Sequence, residues 1–440
     1  MARTALAAVV ALLAGLPAVA RAEERPVTLA EATALAEKAN PELQAAALRV
    51  EAQIARTESV ERGRWPRATI QSTWSRTDLP AGVFANKLNS GAFTAADFDP
   101  TRLNDPGALS HLGTSALLEL PIDAFGKIGA GATAMAAQGD AAAAGTRDAT
   151  EEIRLRVAET YRQAEVAGRT VEVTLRVLAV AKAREAEIEA RVDAGGALKA
   201  DLLRARARRR EREADVAERR SQQQMAQARL SRLLGAPDGV TYVPSEAPPA
   251  VGALAEEEAA WTTRALRQRP LLESARRRQD AAAAVAKTER NGLLPDIGGY
   301  ALVSDDRISG GSSQAWAVGV GLRWTPFDAG RGKREAAAVA EQRAAEQDAR
   351  AAADQVRLEV ALAYRRAVTA RERHAAASGG AEEGREALRV VQERRKAGLA
   401  TLTDELETET AALGAALAEL AAAAEVAMAD AALARAAGEI

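Results

Sequence analysis

Ala315-Trp316-Ala317-Val318-Gly319-Val320-Gly321-Leu322-Arg323-Trp324 alternates without a break. Trp316, Val318, Val320, Leu322 and Trp324 share one face, and Ala315, Ala317, Gly319, Gly321 and Arg323 share the other. A period of two describes a strand. About nine residues with an apolar face and an aromatic at each end match a strand that crosses a bilayer, where side chains meet lipid on one side only. On this register Val318, Val320 and Leu322 touch lipid, and Trp316 and Trp324 sit at opposite interfaces. A soluble antiparallel sheet is the competing reading of the same pattern.

Three more windows alternate, giving strands at about 67–77, 111–121, 296–304 and 314–325. Thr69, Gln71, Thr73, Ser75 and Thr77 make a wholly polar face opposite Ala68, Ile70, Ser72 and Trp74, which assigns Trp74 to the lipid girdle. Leu112, Thr114, Ala116, Leu118 and Leu120 alternate in the next window. Four strands cannot close a barrel, and open edges are not tolerated in lipid, so a membrane sheet of this size demands several chains. The segment Asp78–Ser110, rich in Gly, Asn, Asp and Pro, forms a long loop on one side of the first hairpin.

The remaining chain reads as helix, and it is written twice. Asn40-Pro41-Glu42-Leu43 and Pro66 recur as Arg269-Pro270-Leu271-Leu272 and Pro295, both at an offset of 229. Tyr161, Ala194-Gly195, Asp201 and Gly235 recur as Tyr364, Ala397-Gly398, Asp404 and Gly438 at an offset of 203. Each copy runs helix, β-hairpin, long helix, helix. The boundaries are 23–238 for the first repeat, with long helices at about 128–235, and 263–440 for the second, with long helices at about 333–437; 239–262 links them at an equatorial level. Two short helices stacked end to end nearly match each long one. The long one, at 1.5 Å per residue, extends on the order of 100 Å. Leu399, Leu402, Leu406, Leu413, Leu417 and Leu420 recur at spacings of 3, 4 and 7, a coiled-coil seam. Few side chains are large enough to fill a solitary core, so the helices too call for several chains.

A basic start, an apolar run from Ala5 to Ala20 and Ala20-Arg21-Ala22 describe a secretory signal over 1–22. No other stretch is expected to span a membrane as a helix. With no cysteine there is no disulfide framework and no thiolate metal site. The Arg-rich run 204–220 is interrupted by Glu211, Glu213, Asp215 and Glu218, which reads as a solvated helix face rather than a nucleic-acid site. His111 and His374 are the only histidines, and no metal, phosphate-loop or nucleophile motif appears. Neither enzyme nor cofactor chemistry is expected. The runner-up is a periplasmic coiled-coil adaptor or structural protein, against which the two Trp-bearing hairpins argue.

Val27-Thr28-Leu29-Ala30-Glu31-Ala32 running into Asn40-Pro41-Glu42-Leu43 resembles the opening of the TolC-type outer membrane efflux proteins. Trp324-Thr325-Pro326-Phe327-Asp328-Ala329-Gly330-Arg331 is similar to their hairpin-to-helix signature, and Ala397-Gly398 with Asp404 resembles their turn at the periplasmic tip. The resemblance covers Val27 to Gly438 in both copies. It implies a mainly α fold with a β membrane part, in which a homotrimer closes one 12-stranded β-barrel above a long α-helical barrel. Such a subunit is a passive trans-periplasmic exit duct in the outer membrane, extending into the periplasm. It serves a tripartite efflux or type I secretion system, docking an adaptor (membrane fusion) protein and an inner-membrane transporter.

Asp404 and Glu407 share one face of the helix after the turn Lys396–Ala400, where acids also suit the helix N-terminus. By the resemblance they match acids that ring the periplasmic entrance. Asp201 is the copy-one equivalent, expected to bond to the neighbouring hairpin. The family's locking Tyr and Arg are replaced by Arg395 and Ala400, leaving an Arg395–Asp201 ion pair as a conceivable substitute. Ala194, Gly195, Gly196 and Ala197, with Ala397, Gly398 and Leu399, form small turns expected to dock the adaptor.

Overall fold

The computed structural model describes residues 23–246 and 250–440; the signal segment expected over 1–22 lies outside them. The elements in chain order begin with β1 (Glu23–Val27), α1 (Leu29–Ala39), α2 (Pro41–Glu61) and β2 (Arg67–Thr77). Next come α3 (Pro80–Asn89), α4 (Pro100–Asn104), β3 (Leu109–Ile122), α5 (Lys127–Asp193), α6 (Lys199–Leu233) and β4 (Val240–Pro244). The second half contains α7 (Glu258–Gln268), α8 (Pro270–Asn291), β5 (Asp296–Ile308), β6 (Gly311–Arg323), α9 (Arg331–Lys396) and α10 (Leu402–Ala437). The stretch read as a linker therefore carries β4 and the start of α7. The described residues divide into two compact units, one of Leu48–Ala143 with Glu273–Arg350, and the other of those within 23–47, 144–272 and 351–440.

The first of these units holds one antiparallel sheet in the order β2-β3-β5-β6, so the two hairpins join through β3 and β5. The register places Ile70, Ala116, Val303 and Trp316 across one row and Ala68, Leu118, Ala301 and Val318 across the next. Leu120 with Val320, and Ile122 with Leu322, extend the same face. Trp316 and Val320 are each 76% exposed, the highest values among the sheet's apolar side chains after Ile70 at 77%. Trp74 is also exposed, in a row with Leu112. Trp324 lies just past the end of β6, where its indole N–H donates to the Leu293 carbonyl at 3.0 Å. The opposite face is mainly polar, with Thr69, Gln71, Thr73 and Ser75 on β2, His111, Ser115 and Glu119 on β3, and Ser304 and Asp306 on β5, interrupted by the row Leu117, Leu302 and Ala317. Tyr300 lies on this face over Gly319, where a Cβ would stand 2.8 Å from its ring. β5 runs on to Ile308, past the expected end at 304, because polar residues still pair where the apolar face has stopped.

In the other unit, β1 and β4 pair in parallel. Its two largest cores repeat each other at the offsets found in the sequence. Ala36, Leu43, Ile153, Val157, Ala164 and Leu230 fill one. Ala265, Leu272, Val356, Val360, Ala367 and Leu433 occupy the corresponding places in the other. α6 and α10 end at Gly235 and Gly438, with φ of 66° and 79°. A Cβ on Gly235 would meet the Ala39 Cβ at 2.5 Å, so both the backbone and the close approach require glycine there. The coiled-coil seam differs from expectation. The buried positions of α10 are mostly alanines, Ala412, Ala422, Ala424, Ala429, Ala436 and Ala437, while Leu413, Leu417 and Leu420 are only half-covered. Ala412 lies close enough to α9 that a Cβ on Gly384 would be 3.2 Å from its Cα. This alanine content also makes α10 long and apolar enough, by composition, to cross a membrane, which corrects the expectation that no helix would be.

Val320→Arg would put a guanidinium on the apolar face and is expected to cost roughly 2–4 kcal/mol of assembly in the membrane. Gly321→Arg, on the opposite face with no side chain near its Cβ, is expected to be tolerated. Comparing folded protein in extracted outer membranes checks both; loss of Gly321→Arg with Val320→Arg retained would invert the faces, and equal loss would remove the distinction between them.

Candidate periplasmic tip and its ion-pair clamp

Two helical turns carry the candidate site. At the end of α5, the Gly195 N–H donates to Val192 and that of Gly196 to Arg191, the latter at 2.7 Å; Gly195 has φ 74°. At the end of α9, the Gly398 N–H donates to Arg395 and that of Leu399 to Arg394 at 2.8 Å, with Gly398 at φ 73°. These bonds close the orphan carbonyls of each helix end, and the left-handed residue reverses the chain. Ala194, Gly195, Gly196, Ala397, Gly398 and Leu399 are exposed, and Ala197 is half-buried. A Cβ on Gly195 or Gly398 would meet nothing within 4 Å.

Asp404 and Glu407 both face solvent in the single chain. Asp404 completes a capping box: its carboxylate accepts from the Thr401 N–H at 2.8 Å and from the Thr401 hydroxyl at 2.7 Å. The Thr401 hydroxyl, then its backbone N–H, hold the Asp404 carboxyl below its ordinary value. A depressed pKa means that the cap stabilises the fold above the ordinary carboxylate range and is lost as pH falls through the lowered value.

Asp201 pairs within α6, 3.5 Å from Arg204. Arg395 is likewise committed elsewhere, so the Arg395–Asp201 pair does not form. It bonds to Glu405 and lies 3.5 Å from Glu187. The carboxylate that joins the hairpins is therefore Glu405. It is 1% exposed and held between Arg184 of α5 and Arg395 of α9, with Leu402 packed beside it on Ile188, Leu202 and Ala205. Further along α10, Arg208 and Arg212 of α6 donate to the Thr410 hydroxyl. Burial raises the pKa of Glu409, although Arg184 opposes it. The Arg-rich run of α6 is spent on acids of α5 and of its own helix, Arg206 on Glu189 and Arg209 on Glu185 and Glu213.

The sequence did hold a signal for Glu405. Leu402, Glu405, Glu409 and Ala412 are spaced to share a helix face, and an acid in such a stripe requires a cation from a packed neighbour. Among the described residues no cluster of His, Cys, Asp and Glu could hold a metal ion.

A β-sheet with one lipid-compatible face, carried by a duplicated chain of helices more than 60 residues long, defines a channel subunit of the outer-membrane type. Residues 33–236 and 261–439 each match the family described as outer membrane efflux protein, so the chain belongs to that family and its place is the outer membrane. Solved structures share the fold. The outer-membrane channel OprN is 23% identical over 94% of this chain and 90% of its own, with a TM-score of 0.75. CmeC of Campylobacter jejuni is 17% identical over 93% and 85%, at 0.77. VceC of Vibrio cholerae is 19% identical over 93% and 96%, at 0.72. No curated protein sequence matches the chain.

Glu405→Ala would leave two arginines facing each other in a space from which water is largely excluded. Breaking such a buried pair is expected to cost about 3–5 kcal/mol locally. Hydrogen exchange at 184–205 and 395–412 should accelerate while the sheet stays protected. Unchanged protection at both turns would show that the clamp does not hold them together.

Proposed function

We propose that three copies of this chain close one barrel and form a passive exit duct from the periplasm through the outer membrane, the channel component of a tripartite efflux or type I secretion system. The observation that carries this is the sheet: an apolar face from the row of Trp316 to that of Leu322, a mainly polar opposite face, and two strands, β2 and β6, each paired on one side only among the described residues. Lipid tolerates no such edge, so each β6 must find the β2 of another copy. The family is one of channels, and the duct needs binding partners rather than a catalytic group.

In this reading Asp404 and Glu407 form carboxylate rings at the periplasmic entrance, and Asp404 caps α10 as well. Six pooled carboxylates at a narrow mouth favour cations. Arg395 does not meet Asp201 but acts through Glu405, so the entrance is held by the Arg184–Glu405–Arg395 clamp within each chain. The turns Ala194–Ala197 and Ala397–Leu399 are exposed and built of small residues, which suits contact with a periplasmic adaptor and, through it, an inner-membrane transporter.

Planar-bilayer recording tests the duct. The purified protein is expected to give cation-preferring channels, and the double variant Asp404→Ala, Glu407→Ala is expected to lose most of that preference. Unchanged selectivity would leave these two residues as helix-start acids. For the turns, Gly398→Trp is expected to abolish export while the assembled channel still accumulates. Normal export by that variant would remove the turn from the adaptor contact.

A further inference from the structure

The segment between β2 and β3 is not an open loop. α3, a 3₁₀ turn at Ala95–Phe98 and α4 fold into a lobe with a small core of its own. Phe84, Phe93 and Phe98 meet edge to face at centroid distances of 4.7 and 5.1 Å, and Val83 and Ser90 are buried. Lys87 Nζ reaches the Asp97 carboxylate at 2.6 Å, and the Thr94 N–H and hydroxyl donate to the same carboxylate.

The side of the sheet on which this lobe rests follows from the register. A Cβ on Gly311 would stand 2.7 Å from the Ala92 Cβ and 2.8 Å from the Ser90 carbonyl oxygen, and one on Gly91 would touch the Ser313 Cβ at 3.7 Å. Gly311 and Ser313 alternate in step with Gly319, whose Cβ position points at Tyr300 on the polar face. The lobe thus lies over the polar face at the β5–β6 turn, on the side opposite Trp316, Val318 and Val320. Leu79, Leu88 and Phe98 remain more than half exposed on it, uncovered by anything in the single chain.

We propose that this lobe, residues 78–107, is an outer gate: in the trimer three lobes converge over the exit, each covering the exposed apolar side chains of the others, and flux must lift them from the Gly311–Ser313 seat. The proposal rests on the trimeric duct. Twelve strands spaced ~4.8 Å apart and tilted ~40° enclose a barrel only ~24 Å across between backbones. A helix with its side chains is ~10–12 Å wide, so three of them seated inside that rim must touch and fill it. The occupant of each apolar surface is accordingly a second copy of the same lobe.

The chain has no cysteine, so a single introduced thiol reports on access. Ser115→Cys places it on the polar face, between Gln71 and Ser304. In intact cells, a bulky membrane-impermeant maleimide is expected to label it slowly. Replacing 81–105 by a short Gly-Ser linker, or introducing Gly311→Val to push the lobe off its seat, is expected to speed labelling severalfold. Leu88→Cys treated with a bis-maleimide is expected to join chains to each other. Labelling equally fast with the lobe present and absent would overturn the gate and leave the duct standing. Absence of trimers together with failure of Ser115→Cys to label in any variant would instead sink the duct, and the gate with it.

Discussion

Strands β2 and β6 each leave one row of backbone N–H and C=O groups without a neighbour, beside a face that only lipid suits. Water cannot satisfy those groups in a bilayer, and among the described residues the other two strands, β1 and β4, are paired with each other. Each unpaired group in hydrocarbon costs several kcal/mol, and a strand edge carries a whole row of them. Edge-to-edge pairing between copies, as proposed for the trimer, would resolve the conflict, with the polar face lining water and the glycines of β6 inside.

The helices answer a related problem with small side chains. Away from the two cores that hold leucine, isoleucine and valine, the buried positions of α10 are mostly alanine. Alanine at the α10 seam and glycine at Gly384 bring backbones together, and contact over a long helix replaces a bulky core. Charge then fixes the register between helices. Arg206 and Arg209 tie α6 to α5, Arg371 ties α9 to Asp430 of α10, and Glu405 ties the two hairpins together from a buried position. A buried acid held by two guanidiniums is weak as a source of stability but strong as a determinant of alignment, because every misaligned state leaves a charge unpaired.

Much of this was legible in residue order. Trp316 to Leu322 alternates in sequence, and β6 forms over that stretch with those apolar side chains exposed on one face. Gly195 and Gly398 stood out because a tight reversal needs positive φ. Other features were not legible. Position along the chain makes an Arg395–Asp201 pair no more than conceivable, and packing between helices gives Arg395 to Glu405 instead. The leucines of α10 suggested a seam that the alanines make. The lobe between β2 and β3 read only as turn-forming composition, because the three phenylalanines that meet in it, one of them exposed, are spread over fifteen residues with no period.

Stoichiometry in the membrane-extracted state tests the edge constraint most directly. Sedimentation equilibrium of the mature protein, extracted from outer membranes in mild detergent, measures the number of chains per particle without reference to shape. Three chains per particle, with no monomer on dilution, is the expected result. A stable monomer or dimer would contradict it, since either would leave open strand edges in lipid.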